Sequence, residues 1–597
     1  MTDFAPPRLR FVLVLLTAVC LLWPQYASAN EVPDEVLRAE ADRVAVMQKA
    51  KDAVLAIFSA DGGGGGSGVV ITPDGYALSN FHVAQPCGVA MKCGMADGKV
   101  YDAVVVGLDP TGDVALIKLF GRDDFPTAEM ADSDRVEPGD WCFAMGNPFL
   151  LATNFQPTVT YGIVSGVHRY QFPAGTLLEY ADCIQTDASI NPGNSGGPLF
   201  DAEGRLIGIN GRGSFEKRGR VNVGVAYAIS INQIRNFLGY LRSGRIVDHA
   251  TLGAVVGFDA EGRVVVTDIL DDCDAYRRGL RYDDEIVSFG GRPIFTPNAF
   301  KNVLGIFPKG WRVPLSFRRD GKRHDVLVRL EGVHSTEELI QKATGGPGEM
   351  PMPLPDPDKD PDSKKPGKPG EKPKLPIPQL VKRAKPKLPL PEVVKKHYEE
   401  KRGYANYYFN RLNRDRVIDA WAARGDLSAY RGPWRLTGHS AGGAEFVLRL
   451  SDEAATLRLP AGEFTWAADS DSSAALPPPQ SNGLLPALNL WRRLAVEGPE
   501  KFGEVTYLGT APLPGRPEPV DVLVGLHKGV EVRFHFDPAA GLLLSLELFP
   551  LENIDPCEVY FSEYRRIGGR MWPGQIDVRV GDDPYATLTV RDVQVQP

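Results

Sequence analysis

Fourteen of the chain's 49 prolines fall within the 45 residues from Pro347 to Pro391, and that concentration decides how the rest can fold. Proline lacks a backbone N–H and fixes φ, so a segment this rich in it sustains neither a helix nor a sheet ladder and builds no packed core. The 597-residue chain is therefore expected to divide into two foldable parts joined by an extended connector. In polyproline II geometry that connector spans at most roughly 140 Å. Its second half, Lys364 to Lys387, is basic, which fits a solvated tether better than docking to an anionic surface.

The part before the connector carries the chemistry. Asn191-Pro192-Gly193-Asn194-Ser195-Gly196-Gly197-Pro198 sets one serine among small residues. Glycines let backbone N–H groups approach an oxyanion closely, so Ser195 reads as a nucleophile and the amides of Gly193, Asn194 and Ser195 as the oxyanion-hole region. Upstream, His82 in Ser79-Asn80-Phe81-His82-Val83 follows a strand-like run and the turn Pro73-Asp74-Gly75. Asp113 opens the apolar run Val114-Ala115-Leu116-Ile117. Acyl transfer needs a base to take the serine proton and a carboxylate to orient that base, and His82, Asp113 and Ser195 supply the set. Asp109, four residues before Asp113, competes for the acid's role. The chemistry asks for no metal or cofactor.

Together, GSGVVITPDGYALSNFHVA, DPTGDVALIKL, MGNPF and IQTDASINPGNSGGPLFDAEGRLIGIN resemble the HtrA (Deg) family of chymotrypsin-fold serine proteases across about residues 50 to 240. The resemblance implies His82, Asp113 and Ser195 as the triad. It also implies endopeptidase activity on unfolded or damaged envelope proteins and a trimer-based homo-oligomer. The family's G-F-A-I-P-like strand is replaced here by Gly224-Val225-Ala226-Tyr227-Ala228-Ile229-Ser230. Ser189 stands six residues before the nucleophile, with Ile190 and Ile209 near it in sequence or motif. Such a pocket wall favours a small or medium apolar P1 residue over Arg or Lys. A different class of function, an inactive peptide-binding scaffold or chaperone, would leave the triad without a task.

Residues 249–332 form a second unit. Thr251-Leu252-Gly253-Ala254-Val255-Val256, Arg263-Val264-Val265-Val266-Thr267 and the run Ala275 to Ser288 resemble a PDZ domain. That likeness implies capture of peptide C-termini by β-augmentation, with Leu252, Gly253 and Ala254 as the carboxylate loop. The domain plan is then a leader over 1–29, a protease over 30–248, the PDZ-like unit over 249–332, a linker over 333–392 and a β-rich domain over 393–597. The fold class is mainly β and multidomain: a chymotrypsin-like double β-barrel, a PDZ domain, a Pro-rich linker and a C-terminal β-rich domain.

Arg8 and Arg10, the 13-residue apolar stretch Phe11 to Trp23 and Ala27-Ser28-Ala29 read as a cleavable export signal, giving a periplasmic or secreted protein. Cleavage removes Asp3, Arg8 and Arg10 and takes the formal charge from −8 to −9, which argues against nucleic acid as a partner. An oxidising compartment makes Cys87 and Cys93, which bracket a short loop, a disulfide candidate.

In the C-terminal part, Gly438-His439-Ser440-Ala441-Gly442 matches the nucleophile elbow G-x-S-x-G, which requires a strand before and a helix after. Arg431 to Thr437 is short, polar and broken by proline, and Gly443 to Leu450 reads as a strand, so Ser440 is expected to be a turn serine. Residues 396–425 have helical character and the remainder alternates as strands. Phe536 to Leu543 and Tyr564 to Pro573 faintly resemble LolA-type half-barrels, which implies a lipid or lipoprotein ligand there. A curved sheet whose apolar face forms its own core is the competing reading.

Overall fold

The computed structural model describes residues 32–60, 65–147, 154–171, 179–215, 222–345, 389–469, 476–551 and 554–596. The expected leader lies outside these residues, as does most of the linker. The chain falls into two compact units, Met1–Lys49 and Ala50–Pro597. The first contributes most of the helix Asp34–Ala50, whose Asp34 and Glu35 start and Lys49 end complement the helix dipole. No described helix is long and apolar enough to cross a membrane.

The second unit begins with two closed antiparallel barrels of six strands each. The first joins β1 (Val54–Ser59), β2 (Gly65–Val70), β3 (Tyr76–Ser79), β4 (Ala90–Met95), β5 (Val100–Asp109) and β6 (Val114–Leu119) in the order β1-β2-β3-β6-β5-β4. The apolar run after Asp113 is β6, buried at every residue but Lys118 because it pairs on both edges and packs on its inner face. The second barrel joins β7 (Trp141–Gly146), β8 (Thr158–Gln171), β9 (Tyr180–Thr186), β10 (Pro198–Asp201), β11 (Leu206–Phe215) and β12 (Asn222–Ser230) in the order β10-β11-β12-β9-β8-β7. Closure leaves neither barrel an edge strand to protect. A helix, Ile231–Arg242, comes next and buries Ile231, Ile234, Phe237 and Leu241, a stripe at helical spacing.

Residues 254–329 make a smaller sheet of Ala254–Phe258, Val264–Ile269, Glu285–Phe289, Arg312–Arg319 and Lys322–Arg329, with the helix Pro297–Leu304 against it. The linker expected over 333–392 starts too early. A capping box at Ser335 and Glu338 opens the helix Thr336–Thr344, whose Leu339 and Ala343 are buried with Ile246.

The C-terminal part is built on one antiparallel sheet of 11 strands, with a separate two-stranded hairpin of Arg565–Ile567 and Arg570–Trp572. The large sheet's apolar face closes over the helix Leu484–Glu497, where Trp434, Trp491 and Trp572 meet edge to face. This domain is docked on the two-barrel body rather than merely tethered. The helix Tyr407–Ala422 lies against strand Glu504–Ala511 at one sheet edge. Asn406 Nδ2 donates to Val105 O (2.9 Å), and Asn410 Nδ2 donates to Ser243 O (2.9 Å) and Tyr507 O (2.7 Å). Ser440 ends a strand, Trp434–Ser440, where local composition predicted none. Trp434 and Leu436 are buried on one face, which outweighs the adjacent proline. The chain then turns into a second strand, Glu445–Leu450, so the elbow still fails for want of a helix.

Candidate active site

The two barrels bring their reactive groups to a common junction from short, local pieces. In the first barrel a single turn of helix, Phe81–Ala84, carries His82. Asp113 occupies the left-handed region at φ 59°, a strained setting for a residue with a Cβ. The strain is held by three bonds to the His82 segment: Asn80 Nδ2 (2.9 Å) and Phe81 N (3.2 Å) donate to Asp113 O, and His82 N donates to Asp113 Oδ1 (3.0 Å). His82 Nδ1 then lies 2.8 Å from Oδ2 and 3.0 Å from Oδ1. The carboxylate is fully buried while the His82 side chain is 39% exposed, so the imidazole is anchored at one nitrogen and presented at the other.

The rival acid is engaged elsewhere. Asp109 Oδ1 accepts from Thr111 N and Gly112 N, and Oδ2 lies 2.8 Å from His249 Nε2. Burial alone would lower the pKa of His249, but the charge and hydrogen bond of Asp109 outweigh it and the net shift is upward.

Ser195 sits in the second barrel, with Oγ donating to Gly211 O at 3.3 Å. Its loop is tied to the first barrel through Ser67, a residue absent from the sequence-based expectations. Ser67 N donates to Ser195 O (2.9 Å), Ser67 Oγ donates to Gly193 O (2.6 Å), and Ser79 Oγ donates to Ser67 O (2.7 Å). The only clue to it is the crowding of small residues in Gly65-Gly66-Ser67-Gly68. Gly196 has φ 83°, and a Cβ there would lie 2.3 Å from both Ser67 O and Ser79 Oγ, so this close approach admits glycine alone.

The oxyanion-hole expectation needs one correction. Asn194 N donates to Asn191 O at 2.9 Å, closing a turn, and is spent as a donor. The amides of Gly193 and Ser195 make no hydrogen bond among the described residues and remain available. Ile190 and Ile209 are buried in the core of the second barrel. Cys87 and Cys93 are not joined: both are thiols, Cys93 turned into the first barrel's core and Cys87 Sγ toward Val83 O at 3.4 Å.

In the 249–332 unit, Leu252 is buried, Gly253 has φ 73° with its N–H on Thr251 Oγ1 (3.1 Å), and Ala254 starts a strand. Asp134, His168 and Asp182 bring ligand atoms within 4.8 Å of one another, as a metal site would. Arg292 fills that role instead, donating to Asp182 (2.7 Å) and Asp134 (2.8 Å) and tying the smaller sheet of residues 254–329 to the second barrel.

Residues 66–209 match the model of the trypsin-like peptidase domain. Over 291 residues the chain is 36% identical to the periplasmic serine endoprotease DegP of Escherichia coli (strain K12), covering 47% of this chain and 59% of that protein. Over 289 residues it is 34% identical to a probable periplasmic serine endoprotease DegP-like of Marinomonas sp. (strain MWYL1), again covering 47% and 59%. A solved structure, the HtrA-type protease AlgW with a tripeptide, aligns over 49% of this chain and 98% of its own at 30% identity and a TM-score of 0.41. The chain spans about three fifths of the length of the curated relatives it matches.

Proposed function

We propose that the first half of this chain is a chymotrypsin-fold serine protease domain of the HtrA/Deg type, and that the protein is an exported endopeptidase acting on unfolded or damaged proteins of the cell envelope. One observation carries the reading: His82 is paired with the buried Asp113 beside a serine loop whose Gly193 and Ser195 amides are unspent. His82 Nε2 takes the proton of Ser195 Oγ as the hydroxyl attacks the scissile carbonyl. The two amides receive the oxyanion, and His82 returns the proton to the leaving amine. Asp113 fixes the imidazole's tautomer and stabilises the imidazolium. The periplasmic naming of the relatives supports envelope substrates.

The 249–332 unit is read as a PDZ domain that captures peptide C-termini along strand Ala254–Phe258, where Val255 and Phe258 are exposed. The carboxylate would end at Leu252, Gly253 and Ala254. Assembly is read as trimer-based. A lipid or lipoprotein ligand of the C-terminal sheet would have to enter beside the helix Leu484–Glu497, where Trp466, Leu476, Leu490, Val530 and Leu548 line a pocket edged by Lys528.

The test is hydrolysis of an unfolded protein together with covalent labelling by a fluorophosphonate, for the wild type, Ser195→Ala and Ser440→Ala. Ser195→Ala is expected to abolish both signals and Ser440→Ala neither. Labelling that survives Ser195→Ala refutes the assignment, and a wild type that neither hydrolyses nor labels leaves a peptide-binding scaffold as the better reading.

A further inference from the structure

Asp113 is fully buried, so water does not complete its hydrogen bonds. Oδ1 is met by His82 N and Nδ1, and Oδ2 by Nδ1 from one side. From the other side Oδ2 accepts from the hydroxyl of Tyr180 at 2.5 Å. Tyr180 is the first residue of β9, in the opposite barrel, and is itself buried. Its ring lies flush on Gly211: a Cβ at that position would stand 2.5 Å from Tyr180 Cε1 and 3.2 Å from Oη. Gly211 is the residue whose carbonyl accepts from Ser195 Oγ. One side chain therefore touches the acid of the first barrel at its tip and the nucleophile's acceptor in the second barrel along its edge.

We propose that Tyr180 is a positioning residue of this site, a strut across the barrel junction that holds Asp113 Oδ2 and Gly211 at a fixed separation. The inference rests on the protease reading. The geometry gives the strut two properties. The hydroxyl draws charge from Oδ2, so it tempers the pull of Asp113 on His82 as well as aiming it. The ring requires a residue without a side chain at 211, so the Gly211 backbone can stay close enough to receive Ser195.

The test compares full-length wild type, Tyr180→Phe, Asp113→Asn and the double variant by steady-state kinetics on one peptide substrate across pH. Tyr180→Phe keeps the ring on Gly211 and removes only the donor. A hydrogen bond to a charged group makes a loss in kcat of about tenfold or more the expected size, with KM little changed. The acid limb of kcat/KM, which reports the free enzyme's base, is expected to move to higher pH. In the Asp113→Asn background the same change should cost little more, because the hydroxyl acts through Asp113. A ring-fluorinated tyrosine at 180, a stronger donor of nearly unchanged size, should move the limb the opposite way, and it serves where Tyr180→Phe does not fold. A Tyr180→Phe profile that superimposes on the wild type, or a loss that multiplies fully with Asp113→Asn, overturns the role while leaving the protease reading intact. A wild type without activity overturns both.

Discussion

At the scale of single residues the site is built from backbone constraints as much as from reactive groups. Asp113 reaches His82 because its backbone sits at φ 59° and is pinned by Asn80 and Phe81. Asp113→Asn preserves the shape of that contact but inverts the hydrogen-bond sense at one atom, so His82 is held in the wrong tautomer. A drop in kcat of about 10⁴ is expected with the fold retained, checked by kinetics beside circular dichroism. Gly196→Ala attacks the same assembly through space. Its Cβ would force Ser67 and Ser79 off the serine loop, and fluorophosphonate labelling should fall to background although no catalytic group has changed. The motif around Ser195 made the second of these readable from sequence, since only glycine tolerates such crowding. Ser67 was not readable, because a serine in a glycine-rich strand carries no mark of the carbonyls it will meet.

At the scale of elements the C-terminal sheet shows how burial overrides local composition. Trp434–Ser440 comes after a proline and mixes polar residues with apolar ones, yet it pairs on both edges and seats Trp434 in the core. Trp434→Ala removes a fully buried indole from the cluster with Trp491 and Trp572. A loss of about 3–5 kcal/mol in urea unfolding is expected if the site cannot collapse. On strand Val530–Phe536, His535 is buried opposite Ser545, and burial lowers its pKa to about 4, against the pull of Glu547 and with help from Arg329 and Arg533. The unfolded chain then binds the extra proton between pH 6.5 and about 4, so stability declines as pH falls through that window. The thermal midpoint should drop from pH 7 to pH 5, and His535→Leu should flatten the slope. An unchanged slope would show that other groups set it.

At the scale of the whole molecule the unexpected result is the docking of the C-terminal domain. Asn410 is buried at the joint, donating to Ser243 O and Tyr507 O and accepting from Tyr507 N at 3.1 Å. Asn410→Ala leaves Ser243 O and Tyr507 N buried and unmatched, while Tyr507 O keeps Arg245 Nε at 3.3 Å. A destabilisation of about 3 kcal/mol or more is expected, read from chemical denaturation, together with faster proteolysis between the halves. No periodicity announces such a joint, since its partners lie 97 and 167 residues away in sequence. The proline-rich stretch suggested a loose tether for the same reason: composition describes a connector, not the contacts its ends go on to make. What the sequence determined by itself was the set of candidates for the chemistry, because a serine in a small-residue loop and the histidine and aspartates offered beside it are written in short local motifs. The choice of Asp113 over Asp109, the loss of the Asn194 amide, Tyr180 at the back of the acid and the docked halves were decided only by tertiary structure. Each depends on where a hydrogen-bonding group points after distant segments have packed, and direction in space has no local spelling.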